Sequence, residues 1–167
     1  MSQEVNRVRP ATQDDVQQIA PLFDAYRQFY EQTSDMAQAQ TFIAARLHHG
    51  DAQILLVEQH GMAIGFCQLY PSFCSILAAP IFILSDLFVL PTVRKSGAGR
   101  ALLLAAEDLA LAQGKVRLDL TTAKTNFTAQ ALYESLGWQR DEVYFAYTRQ
   151  PQAQGKLCDA GQGASIE

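Results

Sequence analysis

The order of strand-like and helical segments along the 167 residues predicts a mixed α/β (α+β) domain. Its core is expected to be a largely antiparallel central sheet of six to seven strands with about four flanking helices. Three observations predict it. Two amphipathic helical stretches separate a short first strand from the rest of the chain. Three β-rich runs follow, the first two joined by a glycine turn of the hairpin kind. From Ala98 onward, helices with start and stop signals alternate with strand-like segments, giving the order β-α-α-β-β-β-α-β-α-β-β.

Taken in order, Val5 to Arg9 reads as a strand ended by Pro10. Thr12 then opens a helix, with Asp15 three residues on as a capping-box partner. Val16, Ile19, Phe23, Tyr26 and Tyr30 recur at helical spacing, and Pro21 predicts a kink within them. A second helix spans about Asp35 to His49, with Phe42, Ile43 and Leu47 on its apolar side, and stops at Gly50-Asp51. Gln53 to Gln59 and Ala63 to Phe73 form the hairpin around His60-Gly61-Met62. Ile81 to Leu90 is nearly all apolar, as a central strand covered on both faces should be.

Ala98 to Gln113 carries Leu102, Ala106, Leu109 and Ala110 on one side and ends before Gly114. Val116, Leu118 and Leu120 alternate with Arg117, Asp119 and Thr121, the period of a strand. Asn126 is placed to cap a helix from Phe127 to Leu136 that Gly137 closes. Trp138 and Val143 to Thr148 are expected to supply the closing strands. Residues 1–149 are thus expected to build one domain. Residues 150–167, rich in Gln, Gly and Ala with few large apolar side chains, read as a disordered tail.

Composition narrows the function. Thirteen Lys and Arg against seventeen Asp and Glu give a net charge of −4, which argues against a nonspecific nucleic-acid binder and leaves a cationic substrate open. No apolar run approaches the roughly 20 residues of a membrane span and no secretory leader is evident, so a cytoplasmic protein with no membrane partner is expected. Cys67, Cys74 and Cys158 form no CxxC pair, and their odd number suits a reducing compartment. His48, His49 and His60 lack metal-site spacing, so neither a metal centre nor a histidine triad is expected.

The densest information lies in Leu84-Ser-Asp-Leu-Phe-Val-Leu-Pro-Thr-Val-Arg-Lys-Ser-Gly-Ala-Gly-Arg-Ala-Leu-Leu-Leu104, a buried strand running through a glycine turn into a helix. That order makes an anion site, because free amides at the helix start point outward and the helix dipole favours negative charge. Arg94, Lys95 and Arg100 add positive charge. The turn is not a P-loop, whose glycines stand five apart before Lys. Nor is it a dinucleotide fingerprint, since the third small residue would fall at Leu102 and a hairpin precedes the turn.

Arg94-Lys-Ser-Gly-Ala-Gly99 after Leu87-Phe88-Val89, followed some 30 residues later by Asn126-Phe-Thr-Ala-Gln-Ala-Leu-Tyr133-Glu-Ser-Leu-Gly137-Trp138, resembles the GNAT superfamily of N-acetyltransferases. The likeness spans roughly Val5 to Arg149 and is specific from Ser85 to Trp138. Ser-Asp-Leu-Phe-Val, Gly-Ala-Gly-Arg and Ala-Tyr-Arg-Gln-Phe-Tyr in the first helix look like the branch related to histone and polyamine acetyltransferases. The resemblance implies a GNAT-like sheet and acetyl-CoA as co-substrate. Leu87, Phe88 and Val89 would offer backbone groups to the pantetheine arm, Arg94 would hold the motif's polar first position, and the amides of Lys95, Ser96, Gly97, Ala98, Gly99 and Arg100 would hold the pyrophosphate. Asn126 matches a position near the thiol end of the cofactor, and Tyr133 the family's general-acid tyrosine. Tyr26 and Tyr30 lie in the segment that helps form the acceptor site in this family, and a homodimer is a further implication.

The residues leave some roles open. Tyr133 shares its helix with Leu132 and Leu136 and also suits the core. Asp86 stands alone in an apolar strand, where a carboxylate needs a partner or a function. It could accept the proton of an amine, directly or through water, attract a cationic acceptor, or tie down a neighbouring loop. The expected activity is acetyl transfer to a primary amine, on a small amine or polyamine or on a protein lysine, by direct attack in a ternary complex. The competing reading is a coenzyme-A-binding regulatory module without transferase activity.

Overall fold

In the computed structural model, which describes residues 6–151, one five-stranded sheet runs in the order β1-β2-β3-β4-β5. β1 (Arg7–Pro10), β2 (Gln53–Gln59), β3 (Met62–Cys74) and β4 (Ala79–Val89) pair antiparallel, and β5 (Leu118–Leu120) joins β4 in parallel. Helices α1 (Val16–Phe29) and α2 (Met36–His49) lie on one face, and α3 (Ala98–Ala112) with α4 (Phe127–Ser135) on the other. Strand alternation divides the core between them. Leu55 and Val57 of β2 face α3, whereas Ile54 and Leu56 face α1 and α2.

Local chemistry fixes the ends. Asp15 Oδ2 accepts the Thr12 amide at 2.7 Å and the Thr12 hydroxyl at 3.1 Å, then pairs with Arg9 through a second oxygen at 2.7 Å. Asp35 caps α2 by accepting the Gln38 amide at 2.9 Å, and Gly50, at φ 64°, ends it. α1 runs through Pro21 without interruption.

The expected six to seven strands reduce to five among the described residues. Trp138 lies tilted against Tyr133, at 6.0 Å between centroids, and packs on the α3 side of the core instead of entering the sheet. Val143 to Thr148 forms no strand, and Val143, Tyr144, Phe145 and Tyr147 are at least three-quarters exposed. The physical reason is local. Asp141 Oδ1 accepts the amides of Val143 at 2.7 Å and Tyr144 at 3.1 Å, taking donors that a ladder would need. β5 is also only three residues long. The expected tail lies, from residue 152 on, outside the described residues. No described helix is long and apolar enough to cross a membrane.

One irregularity positions the site. Gln68 pairs with Asp86 but Leu69 pairs with Leu84, so Ser85 is an extra residue in β4. Before this bulge Phe82 and Leu84 face α3; after it Leu87 and Val89 do, and Phe88 turns to the α1 side. Asp86 therefore shares the α1 face with Phe88 by alternation, although the apolar pattern of the strand gives no hint of it.

Candidate active site

Two features of β4 create an opening in the sheet. β5 meets β4 only from Phe82 to Leu84, so among the described residues the strand beyond Ser85 has no partner on that side. On the other side the Leu90 amide donates to the Ile64 carbonyl of β3 at 2.9 Å, and by alternation the peptide groups of Leu87 and Val89 face the gap. Apart from the Val89 carbonyl, which Arg94 meets, these are edge groups of the kind that can pair with an amide-bearing chain. Phe88, in contrast, is buried against Tyr26 and Phe66 and has its side chain in the core.

A turn with two left-handed residues follows, Lys95 at φ 68° and Gly97 at φ 84°. Gly97 caps α3, leaving the first-turn amides of Ala98, Gly99 and Arg100 without helical partners. Ala98 is buried and can contribute only its backbone, whereas Lys95 and Arg100 are exposed around the turn. Ser96 Oγ is buried with no partner among the described residues. The arrangement fits a diphosphate: outward amides, a helix of 15 residues behind them and two cations beside them. Gly99 has a structural duty as well, because a Cβ there would stand 3.3 Å from Leu132 of α4.

Arg94 also has contacts within the protein. Its Nε donates to the Val89 carbonyl at 3.3 Å and its guanidinium lies 5.9 Å from the Phe29 ring centroid. It thus joins the end of β4 to α1.

The structure brings Tyr26, Tyr30, Asp86 and Tyr133 into one electrostatic neighbourhood, with Tyr26 in the middle. Tyr26 donates to the Ser85 carbonyl at 3.1 Å and lies within hydrogen-bonding reach of the Asp86 carboxylate, and its ring is 5.1 Å from Tyr30. Gln68, fully buried, donates to Asp86 at 2.6 Å and to the Tyr70 hydroxyl at 2.9 Å. Burial pushes the Asp86 carboxyl above its ordinary range, and the Gln68 hydrogen bond with the adjacent Tyr26 hydroxyl only partly opposes it. Burial raises the Tyr26 phenol, further lifted by the Asp86 charge. Tyr133 is half-buried and also raised by burial, with Tyr30 adding to it and no hydrogen bond offsetting it.

Asn126 has a local role in addition to any ligand contact. Its Oδ1 caps α4 by accepting the Ala129 amide at 3.2 Å, which leaves its amide donors for the adjoining space. That space is a cleft of about 400 Å³ lined by Phe29, Tyr30, Glu31, Ala123, Thr125 and Asn126.

Sequence reasoning passed over three supports of this site. Gln68 holds Asp86, and its period-2 relation to apolar neighbours gave no separate signal. Gly65 lets β3 and β4 meet: a Cβ there would sit 2.6 Å from the Phe88 carbonyl oxygen. Asp24, buried in α1, accepts the Ser34 hydroxyl at 2.7 Å, the Asp35 amide at 2.8 Å and Gln28 at 2.9 Å, which lower its carboxyl and pin the loop after Tyr30. Its place directly after Leu22-Phe23 was the available clue. Among the described residues no group of three or more His, Cys, Asp or Glu could hold a metal ion.

The family model described as "Acetyltransferase (GNAT) family" matches residues 17–138. The chain is 45% identical over 140 residues to the uncharacterised N-acetyltransferase YhfO of Bacillus subtilis (strain 168), covering 84% of this chain and 94% of that one. A crystal structure of a probable acetyltransferase superposes with a TM-score of 0.81 at 33% identity, covering 89% of this chain and 99% of the other. The aminoglycoside N-acetyltransferase AAC(6')-Iy in complex with CoA has the same fold, with a TM-score of 0.75 at 17% identity over 90% of this chain and all of that one.

Proposed function

The chain belongs to the GNAT acetyltransferase family and is an N-acetyltransferase, and from that premise we propose that it moves the acetyl group of acetyl-CoA to a primary amine by direct attack in a ternary complex. The observation that carries this reading is the meeting of Asp86, Tyr26, Tyr30 and Tyr133 beside a strand edge left open at Leu87 and Val89, with the anion turn at its end.

In this reading the amides of the turn from Lys95 to Arg100 hold the pyrophosphate, and the gap-facing groups of Leu87 and Val89 hold the pantetheine arm. A gap-facing amide near Val89 polarises the thioester carbonyl. An amine acceptor arrives protonated and must lose a proton before it attacks. Asp86 suits that step, directly or through one water, because a carboxyl raised by burial is a stronger base than an exposed one. Tyr133 suits the opposite step. Its raised phenol stays protonated at neutral pH and can donate to the sulfur as negative charge builds there. Tyr26 and Tyr30 form an aromatic wall on the acceptor side, and Asp86 with the nearby Glu31 favours a cation. A polyamine, another small amine or a protein lysine meets that description.

The test is thiol release from acetyl-CoA against a panel of polyamines, aminoglycosides and lysine peptides, with the acetylated amine identified by mass. Acceptor-dependent release is expected. Acetyl-CoA binding without turnover on any amine overturns the acceptor assignment and returns the coenzyme-A-binding module as the better account.

A further inference from the structure

We propose that Asn6 is a positioning residue for the phosphate turn, fixing the direction in which the Gly97 amide points. The inference rests on the reading that the turn from Lys95 to Arg100 receives the pyrophosphate. Asn6 immediately precedes β1, ninety residues from the turn in sequence, and its Nδ2 donates to the Ser96 carbonyl at 2.8 Å. The carbonyl of Ser96 and the N–H of Gly97 belong to one planar trans peptide and point in opposite directions. Holding that carbonyl inward on Asn6 therefore turns the Gly97 N–H outward, to the side where a ligand can reach it.

The side chain of Asn6 is itself oriented. Gln59 Nε2, on a residue only 7% exposed, donates to Asn6 Oδ1 at 3.0 Å. Both bonds form only when the Asn6 amide has its nitrogen toward Ser96 and its oxygen toward Gln59. The register brings this about, because Arg7 pairs with Glu58 and so sets Asn6 beside Gln59 at the end of the β1–β2 ladder. A Cβ on Gly97 would stand 3.6 Å from Asn6 Nδ2, so the turn lies directly on this amide.

The turn needs such a hold. Lys95 sits at φ 68° without being glycine, a conformation that costs about 1 kcal/mol and relaxes unless its surroundings enforce it. Neither Asn6 nor Gln59 bears a charge, so the device orients donors without adding to the positive field that Lys95 and Arg100 supply.

The test compares two acyl donors, acetyl-CoA and acetyl-pantetheine, which lacks the pyrophosphate and nucleotide. Asn6→Ala is expected to lower kcat/KM for acetyl-CoA about tenfold, chiefly through KM. It should leave kcat/KM for acetyl-pantetheine within about twofold, and turnover of that donor reports that the fold is intact. Gln59→Met should shift the same ratio in the same direction, and it carries the test should Asn6→Ala not fold. Equal losses on both donors, or no loss on either, overturn the positioning role of Asn6. A wild-type enzyme indifferent to the presence of the pyrophosphate overturns the reading of the turn itself.

Discussion

Replacing Tyr133 with Phe separates a catalytic hydroxyl from a packing ring, because the two roles of this side chain rest on different atoms. The ring sits 6.0 Å from Trp138 and belongs to the α3-side core, and Phe preserves all of that area. Among the described residues the hydroxyl has no hydrogen bond offsetting its partial burial, so its removal costs the fold nothing that the structure shows. Unfolding free energy should therefore stay within about 1 kcal/mol of wild type. Catalysis should behave in the opposite way. A positioned acid contributes about 10²–10⁴-fold, and even the lower figure is about 2.7 kcal/mol of barrier. The assay is steady-state thiol release at saturating acetyl-CoA with chemical denaturation on the same preparation and calorimetry for acetyl-CoA affinity. The expected result is kcat reduced at least about a hundredfold, with stability and acetyl-CoA Kd nearly unchanged. Unchanged kcat would refute the acid role and leave Tyr133 as a core residue.

Asp86→Asn should lower kcat/KM and remove an acid-side limb from its pH profile. Because burial raises this carboxyl, that limb lies above the ordinary carboxylate range, with activity lost as pH falls through it; a profile of unchanged shape argues against a base. Asp15→Asn tests the Arg9–Asp15–Glu58 cluster. The Arg9 guanidinium pulls the Asp15 carboxyl down from 3.8 to about 2, so its stabilisation, roughly 2 kcal/mol, is full above about pH 4 and disappears toward pH 2. Urea unfolding should show the variant less stable at pH 7 and the difference closing at pH 2; a gap independent of pH contradicts the linkage. Gly65→Ala should destabilise by about 1–3 kcal/mol, since its Cβ must displace the Phe88 carbonyl or part β3 from β4. A melting temperature equal to wild type would show that the strands yield freely.

What the sequence disclosed follows the range of the forces involved. α2, α3 and α4 were legible because their signals are local: Asp35, Gly97 and Asn126 stand at the starts, with Gly50 just past the end of α2. The hairpin of β2 and β3 was legible for the same reason. The closing strands were not, because the apolar run from Val143 to Thr148 says nothing about Asp141 claiming its amides first. The bulge at Ser85 was equally hidden, since Leu84-Ser-Asp-Leu has the same composition whether or not a residue is extra. Its consequence, Asp86 turned toward Tyr26, depends on the register against Gln68 on another strand. Of the residues singled out for the site, Tyr26, Tyr30, Asp86 and Tyr133 come together. Their supports, Gln68, Gly65, Asp24 and Asn6, reach across as many as 90 residues, a span no local pattern records.

The buried carboxylates make the functional assignment sharper than any one of them alone. Asp15, Asp24 and Asp86 are all nearly inaccessible, and each accepts a hydrogen bond of 2.8 Å or shorter. Their carboxyls nevertheless move in opposite directions. Asp15 is lowered by an arginine and by the Thr12 amide, and Asp24 by Ser34, the Asp35 amide and Gln28, so both are committed to the charged form and to holding structure. Among the described residues Asp86 receives no cation and no backbone amide, only Gln68 beside the Tyr26 hydroxyl, and burial prevails. A carboxylate that merely tied down a loop would gain nothing from that environment, because weak solvation of the charged form costs stability without a compensating bond. A carboxylate that takes and releases a proton gains from it directly. The asymmetry among these three aspartates supports the proposal that Asp86 takes the proton while the other two hold structure.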